Sequence, residues 1–420
     1  FGSRLFELIS SMDTARPSCP SRLVARSWSG LGPELLQRFL LPLGHTTQGH
    51  PTLVVPILVV FQCALVCKEW LADVTSSIEG LFIPPTVLKD AIMPETWVRV
   101  SNEKSERAMK YRENHMLATV QALAWVLRRF PRTRAVFLAG RECSRPKDYK
   151  KALMHFNTTC AWSFECGGDG PYGSIAPQVD DLLVMAFSNH CPLLESLAGC
   201  AVAAKLSKLG LTQLALQCPR LQHLSLHGLK IPVGKAELWD TSFVFPNCLS
   251  LDLTFLESFG DDALKSLARH SRNLERLSIS HTAVSDEGIR VLSQGLFPKL
   301  NSLNVGGLDI SRSVLDGFLL SDMICQLRAL GFYCNGICAA DLKIIAERST
   351  VLSDFMIDDD FDEDLYGPED LVAFFNSLPG GLEGFAAGPV FNDTVACALG
   401  ASCPELRSLK VRFRLRDQLT

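Results

Sequence analysis

Little in these 420 residues marks a catalyst, a nucleic-acid binder or a membrane protein. The 41 basic side chains against 45 acidic ones leave a net charge of −4, so the whole molecule has no attraction for phosphate or anionic lipid. The most apolar stretch, Leu53 to Cys67, is broken by Pro56 and Gln62 and falls short of the roughly 20 residues a membrane span needs. Among 15 cysteines there is no C-x-x-C pair, which removes the commonest zinc and redox spacings. Cys334 and Cys338 are wrongly spaced for a redox pair. No G-x-x-x-x-G-K-[ST], G-x-S-x-G or H-E-x-x-H occurs, and His155, His190 and His270 fall at helix or turn positions where histidine is usually structural. No catalytic residue, metal or cofactor is therefore expected, nor any nucleic-acid or membrane partner.

What the chain has is a period. Cys218-Pro-Arg-Leu-Gln-His-Leu-Ser-Leu places Leu221, Leu224 and Leu226 in an L-x-x-L-x-L pattern. Leu224 and Leu226 share one side of an extended strand, because side chains alternate with period two. Upstream, Leu206, Leu209, Leu211, Leu214 and Leu216 have a looser, helix-like spacing. With Leu221 as anchor, equivalent positions fall at Leu194, Cys248, Leu274, Leu300, Leu327, Leu352, Leu382 and Leu406. The successive spacings are 27, 27, 26, 26, 27, 25, 30 and 24 residues. A helix–turn–strand unit of this size cannot bury its apolar face alone, but stacked copies can.

The helices carry their own pattern. Gly260-Asp-Asp-Ala-Leu and Val284-Ser-Asp-Glu-Gly-Ile pair a capping Asp261 or Ser285 with acids suited to a first helical turn, and Cys338-Ala-Ala-Asp, Gly367-Pro-Glu-Asp and Asn392-Asp-Thr-Val repeat the device. Cys191, Cys218 and Cys403 share a repeat position with Phe245, Ser271 and Phe297, which predicts buried, reduced thiols and a cytoplasmic or nuclear location.

Ahead of the repeats, residues 1–27 read as a flexible lead-in. Pro33 and Glu34 open a helix whose apolar face is Leu35, Leu36, Phe39 and Leu40. A loop over 44–55 follows, then a second apolar helix that ends in Leu65-Val-Cys-Lys-Glu-Trp70. L-G-P-E-L-L-Q-R-F-L (Leu31 to Leu40) and L-V-C-K-E-W together resemble the two halves of an F-box, with the proline one place late and the connection about ten residues too long. With the repeats behind it, the chain resembles the F-box/leucine-rich-repeat proteins of the cysteine-containing type. The bland alternative is a helical cap on the array's N-terminal edge.

The expected fold is thus an α/β leucine-rich-repeat solenoid over 115–420, strands on the concave side and helices on the convex side. A small F-box-like helical domain (28–75) and a linker (76–114) precede it. Thr133 is an expected anchor, and an intervening repeat is placed near Thr159.

By the resemblance, Leu31, Pro33, Glu34, Leu35, Leu36, Leu65, Val66 and Trp70 would dock on the Skp adaptor of a cullin–RING ubiquitin ligase. The repeats would then hold a protein substrate. The expected substrate face is the non-leucine strand positions: His223, Ser225, His227, Asp252, Arg276, Ser278, Ser302, Asn304, Lys410 and Arg412. Two charged stretches remain open. Lys104 to Lys151 holds 13 basic residues against 4 acids, and Asp358 to Asp364 holds six acids in seven positions; each reads as a solvated surface or as a contact for an oppositely charged partner. The acidic run lacks the glycine and ligand alternation of a calcium loop.

Overall fold

A computed structural model of the chain describes residues 45–47, 50–56, 80–83, 127–128, 130, 132–138, 181–199, 208–226, 247–256, 258–333, 336–358, 365–388 and 390–411. The chain divides into two compact units between Leu224 and Ser225.

The first unit opens with an antiparallel hairpin, β1 (His45–Thr47) and β2 (His50–Pro56), bulged between Thr46 and Thr47. Then β3 (Gly80–Ile83) pairs parallel with β2, β4 (Ala135–Leu138) with β3, and β5 (Ser196–Gly199) with β4. Helix α1 (Asp181–His190) precedes β5, and α2 (Lys208–Gln217) precedes β6 (His223–Ser225). Paired strands at 45–47 and 50–56 therefore stand where a loop over 44–55 was expected. A strand also lies inside the expected 76–114 linker. The β-branched pair Val54 and Val55, between Leu53 and Pro56, suits a strand at least as well as the approach to a helix. Thr133 is indeed a buried anchor, its amide bonded to the Phe130 carbonyl at 3.1 Å. β4 pairs directly with β5, and the repeat expected near Thr159 lies outside the described residues.

The second unit is a regular run of repeats. Its strands are β7 (Ser250–Asp252), β8 (Arg276–Ser278), β9 (Ser302–Asn304), β10 (Ala329–Tyr333), β11 (Asp354–Asp358), β12 (Gly384–Ala387) and β13 (Ser408–Val411). Each pairs parallel with the next. The helices are α3 (Asp261–His270), α4 (Asp286–Ser293), α5 (Arg312–Leu319), α6 (Asp322–Gln326), α7 (Ala339–Arg348), α8 (Pro368–Ser377) and α9 (Asp393–Ser402). This is a repeating α/β solenoid of the leucine-rich-repeat type, with parallel strands and flanking helices.

Registration follows from the leucines. Leu251, Leu277, Leu303, Leu330, Phe355 and Phe385 are directly paired across neighbouring strands, each at most 3% exposed. The anchors Leu274, Leu300, Leu327, Leu352 and Leu382 are buried just ahead of them. At about 25 cal/mol per Å² of apolar surface, each such leucine contributes roughly 2 kcal/mol. The shared cysteine position is buried as expected: Cys191, Cys218, Ser271, Phe297 and Cys403 all have their carbonyls bonded to the anchor amide three residues on. Burial pushes the Cys191 and Cys218 thiols up to about 12, so both stay protonated and unreactive at neutral pH.

The helix starts are tied to one another from repeat to repeat. Ser285 caps α4 as expected, its hydroxyl accepting the Glu287 amide. Asp261 has a different role from the expected local cap. Its carboxylate accepts the Ser285 amide at 2.9 Å, the Ser285 hydroxyl at 2.6 Å and the Gly288 amide at 2.9 Å, all from the following repeat. Asp286 does the same for Ser311, at 2.7 and 2.6 Å. The Ser311 hydroxyl and amide hold the Asp286 carboxyl below the usual carboxylate range. Later helices use local caps: Asn392 accepts the Val395 amide at 3.0 Å, and Asp370 accepts the Gly367 amide at 2.8 Å.

Candidate functional site

Core leucines fix where the other side chains of each strand must go. Leu251 and Leu253, Leu277 and Ile279, and Leu303 and Val305 point into the core. Period two then sends Ser250 and Asp252, Arg276 and Ser278, and Ser302 and Asn304 to the opposite face. Further along, the same positions hold Ala329 and Gly331, Asp354 and Met356, Gly384 and Ala386, then Ser408 and Lys410.

This face is less open than a polar sequence predicts. Ser278, Ser302 and Asn304 are 2%, 4% and 1% exposed, so three expected contact residues form a floor. His223, Ser225, Asp252, Arg276 and Lys410 are half-buried, and they alone among the described expected residues reach the surface. His227 and Arg412 lie outside the described residues, as do Leu31, Pro33, Glu34, Leu35, Leu36, Leu65, Val66 and Trp70.

The floor is a hydrogen-bonded ladder. Ser225 Oγ donates to Asp252 Oδ2 at 3.0 Å, and Thr254 donates to Asp252 Oδ1 from both its amide (3.1 Å) and its hydroxyl (2.7 Å). The Thr254 and Ser278 hydroxyls are 2.8 Å apart. Asn304 Oδ1 accepts the Gly306 amide at 3.2 Å, the same turn-closing bond that Asp252 makes. Parallel strands sit about 4.8 Å apart, so Ser278, flanked at its own level by the longer Asp252 and Asn304, is covered while its hydroxyl is still satisfied. Such a ladder fixes the strand exits, and the half-buried residues beside it are the ones that reach the surface.

Two residues absent from the expected face stand at those exits. Phe255 and His281 follow β7 and β8 in equivalent turns, and their rings stack with centroids 4.4 Å apart and planes 3° from parallel. Phe255 is 39% exposed. Their signal in the sequence is a repeat position, since Gly307 stands 26 residues after His281 in a Gly-Gly turn. Among the described residues no group of His, Cys, Asp and Glu could hold a metal ion, and no helix is long and apolar enough to cross a membrane.

No family model matches the chain, and no curated protein does. Among solved structures it is similar to one from the complex of Rad7 and Elc1 in yeast. The likeness has a TM-score of 0.48 and 15% identity, over 100% of this chain and 95% of that one. At that level it adds nothing to the fold read from the chain's own strands and helices.

Proposed function

We propose that the chain is the non-catalytic substrate-recognition subunit of an SCF-type cullin–RING ubiquitin ligase. The observation that carries this reading is the hexapeptide Leu65-Val-Cys-Lys-Glu-Trp70, which together with Leu31 to Leu40 resembles an F-box and precedes a leucine-rich-repeat array. In this reading Leu31, Pro33, Glu34, Leu35, Leu36, Leu65, Val66 and Trp70 bind the Skp adaptor. The repeats hold a protein substrate through His223, Ser225, Asp252, Arg276 and Lys410. Catalysis then belongs to the conjugating enzyme, and this chain raises the local concentration of substrate lysines near its thioester.

Capture of the full chain by immobilised Skp adaptor tests the proposal. Retention that is lost in the Leu35→Ala, Leu36→Ala double variant is the expected result. Absent capture, or capture unaffected by the double substitution, sinks it.

One observation favours a second reading. Strands β2 and β3 carry the parallel series back to residue 50, inside the segment expected to be an F-box. A segment that continues the sheet suits an N-terminal cover of an interaction scaffold with no link to ubiquitin. The same capture experiment separates the two, because a cover has no reason to bind the adaptor.

A further inference from the structure

Asp252 and Asp354 both stand on the open face of the sheet, but they are not equally engaged. Both Asp252 oxygens accept hydrogen bonds, Oδ2 from Ser225 and Oδ1 from Thr254. Asp354 Oδ2 accepts the Ser353 hydroxyl at 2.8 Å, and Oδ1 accepts no hydrogen bond among the described residues. Burial, and after it the charge of Glu383, pushes the Asp354 carboxyl up, and no basic side chain among the described residues counters them. The seat of this carboxylate is made by a neighbour. Asp354 pairs with Gly384 across β11 and β12, and Oδ1 lies where a Cβ on residue 384 would stand. Gly384 has no left-handed backbone angle, so its conformation does not call for glycine. The space it leaves is what the carboxylate occupies. Glycine within a strand and a half-buried charge both lower stability, and inside the described residues only Ser353 offsets any of that.

The ground around Asp354 is apolar. Ala329, Asp354 and Gly384 lie side by side at one level of the open face, and Gly331, Met356 and Ala386 at the next. Across β10 to β12 these two levels hold no charged, hydroxyl or amide side chain other than Asp354. Met356 is half-buried and longer than the glycine and alanine that flank it, a flexible wall for a chain laid beside it. The margins carry both signs: Glu383 ahead of β12 faces Arg328, Arg407 and Lys410 on the neighbouring repeats, and Arg407 pairs with Glu383 at 3.3 Å. A net field therefore does not choose the occupant, and the local contacts must. An open carboxylate oxygen over an apolar floor matches a side chain with an aliphatic stem and a cationic head, which is Lys or Arg. An acidic or phosphorylated side chain is repelled from the same spot.

We propose that Asp354 is a specificity-determining residue of the open face: its Oδ1 takes the head of one Lys or Arg from an extended segment of a partner protein, whose stem lies along Gly384 and Ala386 beside Met356. The proposal rests on the recognition reading above and deepens it by naming a residue that reading does not use and the side chain it selects. Its support is a carboxylate seated over a glycine, with one oxygen unengaged, on a floor of small apolar residues.

The test uses the full chain and fluorescence anisotropy with pools of fluorescein-labelled peptides. Each pool has Arg, Gln or Glu fixed at its centre and Ala, Val, Leu or Ser elsewhere. The Arg pool is expected to bind about tenfold more tightly than the Gln pool, and the Glu pool most weakly. Asp354→Asn is expected to bring Arg binding down to the Gln level while the melting temperature at pH 7 rises, so that binding and stability move in opposite directions. A carboxylate with a structural role alone would not couple them in that way. Equal binding of the Arg and Gln pools, or no binding of the Arg pool, overturns the proposal. So does an Arg preference that survives Asp354→Asn, which would assign it to Glu383. Should the Asn variant fail to fold, Asp354→Ser decides, because Ser250, Ser302 and Ser408 hold the same strand position. Loss of the Arg preference then carries the proposal and retention overturns it. Adaptor capture rests on Leu35 and Leu36, so a failure of the ligase reading and a failure of this one are separately visible.

Discussion

Arg312 and Asp341 join two repeats of the second unit through a carboxylate whose side chain has no solvent exposure. Arg312 Nη1 donates to Asp341 Oδ2 at 2.6 Å, and Nη2 donates to Oδ1. The Cys338 amide at the start of α7 donates to Oδ2 at 2.8 Å. Burial alone would raise this carboxyl, but the guanidinium and the Cys338 hydrogen bonds outweigh it and hold it below the usual range. Arg312 is in turn held charged by Asp341, and it reaches Asp316 on its own helix as well.

Asp341→Asn should therefore destabilise the protein, by about 2 kcal/mol at pH 7, because the guanidinium loses a buried partner but keeps Asp316 and some solvent. A lowered folded-state pKa contributes stability that is present above the unfolded value, near 3.9, and is lost as pH falls through the folded one. Urea melts of wild type and variant should thus differ most at neutral pH and converge on acidification below about pH 4. A difference that stays constant down to pH 2 would show that the carboxylate's charge is not what matters.

Asp354 has the opposite sign. It sits at the start of β11 on the face away from the core, and burial raises its carboxyl; Ser353 Oγ, donating at 2.8 Å, offsets part of this, and Glu383 adds to the rise. A raised folded-state pKa contributes stability below the unfolded value and loses it as pH rises through the folded one. Asp354→Asn should accordingly raise the melting temperature at pH 7, where the charged form is penalised, and bring no gain near pH 3. A lower melting temperature at pH 7 would mean the carboxylate makes a contact that outweighs its burial.

Leucine spacing made the second unit legible, because anchors such as Leu274, Leu300 and Leu327 are buried and repeat with the chain's period. Face assignment was legible only in direction. Ser278, Ser302 and Asn304 do point away from the core, but polarity in a sequence does not report that all three are buried there, at 2%, 4% and 1% exposure. The pairing of Asp341 gave no signal at all, since its partner stands 29 residues upstream, with the short helix α6 between them. In the first unit, Leu53 to Pro56 fits a strand or the approach to a helix equally well, and only pairing with β3 decides between them.

Leu303 and Leu409 occupy the same repeat position, yet Leu303 is 1% exposed and Leu409, on β13, is 47% exposed. Leu303→Ala should cost about 3 kcal/mol from lost burial and the cavity left behind. Leu409→Ala should cost under about 1 kcal/mol, since roughly half of that leucine is already in water. Chemical denaturation of the two variants checks the contrast. Equal losses would show that the β13 leucine is covered in solution.

Gly307 and Gly295 both have left-handed backbone, with φ of 64° and 70°, but only one of them is crowded. A Cβ on Gly295 would meet nothing within 4 Å, so Gly295→Ala should cost only the conformational penalty, about 1 kcal/mol. A Cβ on Gly307 would overlap the His281 ring. Gly307→Ala must bear the same backbone penalty and also displace His281 from its stack with Phe255, for a total of about 2–3 kcal/mol. Melting temperatures of the two variants give the difference, and the His281 ring proton shifts report whether the stack has moved. If the two alanines cost the same and those shifts stay put, the ring yields without losing Phe255, and the step is softer than its parallel packing indicates.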